Sequence, residues 1–202
     1  MKTSNKFTLV RIFAAPVFFV LYFLPTWLHA ENGTLIPVCC SIVSILLLAF
    51  AEFTDYLDGH FARKHNEVSD FGKMFDPFAD VFLHLSSFVC FTYAGLCPLP
   101  VLLLIIYREF SQNFLRMVAA KSGTAIAARK GGKFKTVMYV VAEFFSLIQT
   151  VLVWTALDSA WGINMDILRI IGIALYVVCV ILAYVSFIDY LKNFGHVLKE
   201  QA

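Results

Sequence analysis

Six stretches of about 20 mostly apolar residues follow one another along this chain, at 11–28, 35–54, 74–94, 98–118, 136–157 and 166–190. Each is long enough to cross the hydrocarbon core of a bilayer as one helix. No other feature constrains the fold as much, because a helix satisfies its own backbone polar groups where no water can. The expected architecture is all-α: a polytopic membrane protein of six transmembrane helices, forming a single domain over residues 1–202. The polar–apolar stretch KTSNKFTL ahead of the first span is expected to lie along the interface as a short helix over 3–10. Composition points the same way, with 60% of residues hydrophobic and 15% charged, far from the balance of a soluble domain. Reading the first run as a cleaved signal peptide would leave five spans, but the run is longer than a usual signal h-region.

Charge is distributed on one side. Short connections near 29–34, 95–97 and 158–165 alternate with charged ones near 55–73 and 119–135. Of the 16 Lys and Arg residues, all but Arg108 and Arg169 fall at the face carrying the charged connections and, for an even span number, both termini. The positive-inside rule makes that face cytoplasmic and a cytoplasmic (inner) membrane the expected location. Cys39, Cys40, Cys90, Cys97 and Cys179 lie in or beside apolar runs without CxxC spacing, so they are read as packing residues rather than a disulfide framework. The absence of a visible internal repeat argues against a transporter built from two similar halves.

Between spans 2 and 3 stands DYLDGHFARKHNEVSDFGKMFDPFAD, residues 55–80. Asp55 and Asp58 are three apart and Asp76 and Asp80 four apart, so each pair shares one helical face. The two helices are consecutive and antiparallel, which lets the pairs face each other beside the cytoplasmic turn. Four converging carboxylates repel unless cations neutralise them, and all-oxygen ligation selects hard ions such as Mg²⁺ or Mn²⁺. Two divalent ions would balance four negative charges, the arithmetic of a two-metal phosphate-processing site. A single aspartate at a helix end is more often a cap, and Asp76 before Pro77 could be one. Asp80 is harder to explain that way. In a helix starting near residue 70 it lies roughly 15 Å along the axis, where an ionisable group is costly. Gly59 and Ala62 keep the adjoining surface small, and Arg63 offers a planar fork for phosphate oxygens.

Written as Asp55-x-x-Asp58-Gly59-x-x-Ala62-Arg63-x8-Gly72-x3-Asp76-x3-Asp80, the stretch resembles the signature of the CDP-alcohol phosphatidyltransferase family at every fixed position. The resemblance implies that an alcohol hydroxyl attacks the diphosphate of a CDP-linked lipid, forming a phosphodiester and releasing CMP. It further implies that Asp55, Asp58, Asp76 and Asp80 hold two Mg²⁺ or Mn²⁺ ions and that Asp80 also takes the hydroxyl proton. Gly59 would lie against cytidine and Arg63 against the diphosphate, with Ala62 and Gly72 completing the CDP surface. A homodimer is implied as well. The rival reading, a cation channel or transporter lined by the aspartates, gives no reason for Gly59, Ala62, Arg63 and Gly72 at fixed spacing.

A second polar constellation bears on the acceptor. Arg108 in IIYREFSQNFLRM lies within span 4, about 12 Å along the helix from Arg116. Unpaired it would be costly, and Glu109, Glu52 and Glu143 are the intramembrane acids open to it. Lys133 and Lys135 of GGKFKT open span 5 at the charged face. NKFTLVRI at 5–12, REF at 108–110 and GGKFKT at 131–136 resemble the family members that use sn-glycerol 3-phosphate. That resemblance implies CDP-diacylglycerol as donor, with the acceptor phosphate on Arg108, Lys133 and Lys135. Arg116, Asn5, Thr8 and Arg11 would flank the pocket. Those members commonly carry lysine after the last aspartate, whereas Val81 follows Asp80 here. Phosphatidylglycerol, serine and inositol phosphate therefore stay open as acceptors, although serine-using members usually have serine where this chain has Pro77.

Overall fold

The apolar runs become helices whose ends are set by residues unable to continue them. A computed structural model describes residues 3–64, 70–121, 123 and 130–195; for 3–6, 56, 58–64, 70, 71, 73 and 130 it describes the backbone alone. The helices are α1 (Thr3–Trp27), α2 (Leu35–Lys64), α3 (Asp70–Tyr93), α4 (Leu99–Lys121), α5 (Lys130–Trp154), α6 (Leu157–Trp161) and α7 (Met165–Phe194). After α3 the chain turns at Gly95, whose φ of 73° suits glycine. The Arg169 guanidinium lies 3.0 Å from where a Cβ there would sit. Before α4, the Pro98 carbonyl accepts the N–H groups of Val101 and Leu102. Asn164 caps α7 by accepting the N–H groups of Asp166 and Ile167, and Asp166 sits in the first turn, where the helix dipole favours an acid.

Helix α1 packs on α2 and α3, α5 on α2 and α7, and α4 on α3 and α7, while α3 also meets α5. The buried stripe of α7 shows the helical spacing that makes this possible: Gly172, Tyr176, Cys179, Ala183, Ser186 and Tyr190 recur every three or four residues. Outward faces carry large apolar side chains such as Phe13, Leu46, Phe110, Phe134 and Ile170, each more than 60% exposed. Such faces suit lipid, and the interior is correspondingly mixed. Phe88 sits edge-on to Tyr139 and Tyr176, at ring separations of 5.4 and 5.1 Å. Buried tyrosine hydroxyls find partners, Tyr22 with Thr150 at 3.1 Å and Tyr176 with Ser146 at 2.9 Å. All five cysteines are free, as their placement led us to expect.

Three expectations need adjustment. Among the described residues, five helices rather than six are long and apolar enough to cross a membrane: Phe7–Trp27, Leu35–Asp55, Met74–Tyr93, Gly131–Trp154 and Met165–Phe194. Helix α4 has the length, at 23 residues, but Arg108, Glu109, Gln112 and Arg116 reduce its apolar character. The segment expected along the interface at 3–10 is instead continuous with α1. Thr8 and Arg11 are buried among groups of α2 and α3, which draws that end of the helix into the bundle. Pro77 lies inside α3, which starts at Asp70, so Asp76 is not an N-cap.

Where α5 and α7 cross, a Cβ on Gly172 would stand 3.0 Å from Gln149 Nε2 and 3.5 Å from the Phe145 ring. Gly172→Leu is therefore expected to wedge the helices apart, at a cost of about 1–3 kcal/mol. A thermal unfolding curve in detergent measures this, and an unchanged midpoint would contradict the close crossing.

Candidate active site

The end of the bundle where α2 stops and α3 and α5 begin is also where α1 starts and α4 and α7 finish. Charged residues from six helices thus gather at one end. A cavity of about 470 Å³ opens there, lined by residues of α2, α3, α4, α5 and α7 as two unlike walls. Asp55, Asp76, Pro77, Asp80, Val81 and His84, from α2 and α3, form one wall. Arg108, Glu109, Arg116, Gly132, Lys133, Lys135, Thr136, Val137 and Tyr190, from α4, α5 and α7, form the other.

Helix α1 holds the acidic wall together. Thr8 and Arg11 are three apart and so share a face. The Thr8 hydroxyl donates to Asp76 Oδ1 at 2.5 Å. Arg11 Nη1 donates to Asp55 Oδ1 at 2.5 Å and also to Asp80, and Nη2 lies 3.8 Å from Asp76. The Arg11 side chain is 1% exposed. Three carboxylates from two helices thus converge on one buried guanidinium, which leaves two negative charges among these four groups. The donor atoms are all anionic oxygens, the set that suits a hard divalent cation. Asp58, Gly59, Ala62 and Arg63 fall on the last two turns of α2, and Asn5 on the first turn of α1, where side chains lie outside the described residues. Gly72 is buried near the start of α3.

Glu109 organises the basic wall. It accepts Arg108 Nη1 on Oε2, and Lys135 Nζ and the Tyr139 hydroxyl on Oε1, each at 2.8 Å. Arg108 also donates from Nε to the Ala183 carbonyl at 2.9 Å and from Nη2 to Ser186 at 3.4 Å. Of the three acids open to Arg108, Glu109 is the one that pairs with it. Two cations and one carboxylate leave a net positive charge, to which Arg116 and the exposed Lys133 add. The Arg116 guanidinium lies 5.7 Å from the Tyr190 ring centroid, a cation–π arrangement. The paired glycines of GGKFKT let α7 come close: a Cβ on Gly131 would meet Ser186 at 3.5 Å, and one on Gly132 the Tyr190 hydroxyl at 3.4 Å.

Sequence reasoning missed His84, Glu52 and Glu143 as a group, and Tyr139 and Tyr190. A signal existed for some of them. His84 follows Asp80 by four residues, and Lys135, Tyr139 and Glu143 follow one another by four, so each set occupies one face. His84 Nδ1 lies 2.9 Å from Glu143 Oε2, and Glu52 completes a cluster of three. Tyr190 had no such signal, because α7 reads as apolar almost throughout.

Together these features define a helical membrane protein with several apolar spans and an acidic and a basic wall facing each other across one cavity. The chain belongs to the CDP-alcohol phosphatidyltransferase family, whose sequence profile matches residues 1–185, and it is accordingly a transferase. Similar curated proteins carry a more specific name. The CDP-diacylglycerol–glycerol-3-phosphate 3-phosphatidyltransferase of Treponema pallidum (strain Nichols) is 39% identical over 204 residues, spanning 98% of this chain and 92% of that protein. The same-named protein of Bacillus subtilis (strain 168) is 38% identical over 140 residues, 68% of this chain and 72% of that one. That of Aquifex aeolicus (strain VF5) is 31% identical over 204 residues, 99% and 100% of the two chains.

The Glu109 network can be tested by itself. Glu109→Gln leaves Arg108 and Lys135 buried beside a neutral amide, and breaking a buried ion pair from one side costs about 3–5 kcal/mol. A marked fall in the unfolding midpoint in detergent is expected. A stability equal to wild type would mean that Glu109 does not hold the two cations.

Proposed function

We propose that this protein transfers the phosphatidyl group of CDP-diacylglycerol to sn-glycerol 3-phosphate, giving phosphatidylglycerolphosphate and CMP. The observation that carries the proposal is the pairing of an acidic and a basic wall across one cavity of about 470 Å³. A diphosphate donor needs divalent charge beside it, and a phosphate-bearing acceptor needs fixed cations beside it. One cavity supplies both, and the named activity of the relatives is this reaction.

Asp55, Asp58, Asp76 and Asp80 are the residues that would hold two Mg²⁺ or Mn²⁺ ions. When bound, such ions neutralise diphosphate charge and make a nearby hydroxyl more acidic. Asp80 accepts the proton as the acceptor oxygen bonds to the lipid-bearing phosphorus, and the bond from that phosphorus to the CMP oxygen breaks. By the family resemblance Arg63 would bind the diphosphate, and Gly59, Ala62 and Gly72 would leave room for the cytidine half. On the opposite wall Arg108, Lys133, Lys135 and Arg116 hold the acceptor phosphate. Glu109 keeps two of those cations apart and pointed inward, so most of the catalysis is positioning and charge placement. Thr8 and Arg11 steady the aspartates, with Asn5 at the rim.

The same reading makes residues 1–202 one domain with α4 as a sixth span, its polar residues turned inward. The basic face then lies in the cytoplasm by the positive-inside rule, with both termini there, in the inner membrane. A homodimer is part of the proposal, on the strength of the family resemblance.

A CMP-release assay with CDP-diacylglycerol and Mg²⁺ tests the acceptor, with glycerol 3-phosphate, serine, inositol phosphate and phosphatidylglycerol supplied singly. Release is expected with glycerol 3-phosphate alone; release only with another acceptor would refute this choice while sparing the reaction class. Asp80→Asn should lose on the order of 10²–10⁴-fold in turnover while still binding CDP-diacylglycerol, and retained turnover would remove it from the base role. Lys133→Ala should raise the KM for glycerol 3-phosphate by about tenfold, worth about 1.4 kcal/mol. An equal rise for the CDP-lipid would place the acceptor phosphate elsewhere.

A further inference from the structure

Below the aspartates, three more ionisable groups meet inside the bundle, and the proposed reaction uses none of them. Glu52 stands one turn before Asp55 on α2, His84 one turn beyond Asp80 on α3, and Glu143 two turns beyond Lys135 on α5. Their donor atoms all lie within 4.8 Å of one another. His84 Nδ1 and Glu143 Oε2 are 2.9 Å apart. His84 is 3% exposed and Glu143 fully buried. The second oxygen of Glu143, Oε1, is buried without any hydrogen-bond partner.

Such an orphan is costly in a membrane interior. A proton shared between Glu52 and Glu143 would satisfy it, but no hydrogen bond reaches Glu143 Oε1. Cations on neighbouring helices are engaged elsewhere, Arg11 with Asp55 and Asp80, and Lys135 with Glu109. One divalent cation with two carboxylates and a neutral imidazole sums to zero charge. We propose that Glu52, His84 and Glu143 form a second, separate metal site that binds one divalent cation between α2, α3 and α5.

The donor set indicates which cation. Two carboxylate oxygens and an imidazole nitrogen favour Zn²⁺, Mn²⁺ or Fe²⁺ over Mg²⁺, which prefers oxygen and water. Zinc holds such donors at about 2.0–2.2 Å, within reach of side-chain rotation from the positions seen. His84 lines the large cavity, so an ion has a route in from the charged end. The role is structural: the ion ties the α2 and α3 helices that carry the aspartates to α5, which carries Lys133 and Lys135.

The test is a metal count on tag-free, full-length protein in detergent, stripped with chelator, loaded with Zn²⁺ in excess Mg²⁺, and desalted. Inductively coupled plasma mass spectrometry should find one fewer retained Zn²⁺ in Glu143→Gln and in His84→Gln than in wild type. The same loss should appear when each change is made on an Asp76→Asn background, since the two sites are distinct. Equal Zn²⁺ content in wild type and both variants overturns the site. If a variant does not fold, X-ray absorption of Zn²⁺-loaded wild type decides. Imidazole scattering in the first shell supports the site, and an all-oxygen shell overturns it. Because these readouts do not depend on turnover, they stand or fall apart from the proposed reaction.

Discussion

A charge held inside a bilayer has to be met by another group of the same protein, because neither water nor lipid tails will meet it. That constraint shapes the charged end of this bundle. Arg11 meets Asp55 and Asp80, Glu109 meets Arg108 and Lys135, and the His84 ring lies within hydrogen-bond distance of Glu143. Most of these ties join helices distant in sequence: 69 residues separate Arg11 from Asp80, 59 separate His84 from Glu143, and 26 separate Glu109 from Lys135. Packing between apolar faces gives little directional preference in lipid, since the tails compete as well as another helix does. The polar ties have direction and partner specificity, and they set how the helices stand at the site.

Glu109 also keeps the site open. Asp55 and Asp80 line the same cavity as Arg108 and Lys135, and opposite charges across it attract. Were the basic wall made of unpaired cations, direct pairing with the aspartates would fill the space that substrates need. A carboxylate on the basic side, held by Arg108, Lys135 and the Tyr139 hydroxyl, gives those cations a local partner without cancelling their excess charge. Arg11 does the converse on the acidic side. Each wall is thereby partly neutralised from within, and the residual charges face each other across open volume.

How far the sequence could be read depended on whether the informative residues were close along the chain. Asp55, Asp76 and Asp80 were legible because Asp76 and Asp80 stand four residues apart on one helix face and Asp55 lies near the end of the helix before it. The apolar runs were legible because length alone marks a membrane helix. Span 4 was read from the same length, yet its charges hid how polar its buried face is. The choice of Glu109 over Glu52 and Glu143 for Arg108 could not be read, since all three are intramembrane acids and only the packing of α4 on α7 and α5 on α7 separates them. Nor could Arg11 be placed among the aspartates, because nothing in α1 says which side of α2 and α3 it joins. Tyr190 reaches the cavity only because Gly131 and Gly132 let α7 approach α5.

Val81 is the departure from the pattern of the glycerol 3-phosphate users, and the cavity gives it a physical context. Its side chain is 8% exposed and lines the acidic wall directly after Asp80. A lysine at that position would bring a cation beside Asp80, where Arg11 already donates, and would compete with any divalent ion there. On the opposite wall, Lys133, Arg116 and the Arg108–Glu109–Lys135 group already supply net positive charge. Under the proposed reaction, positive charge for a phosphate-bearing acceptor is present without a lysine at 81, and an apolar residue there adds no further cation beside Asp80. The positive charge that the proposed acceptor calls for lies on one side of the cavity, on α4 and α5, and residue 81 is not its source.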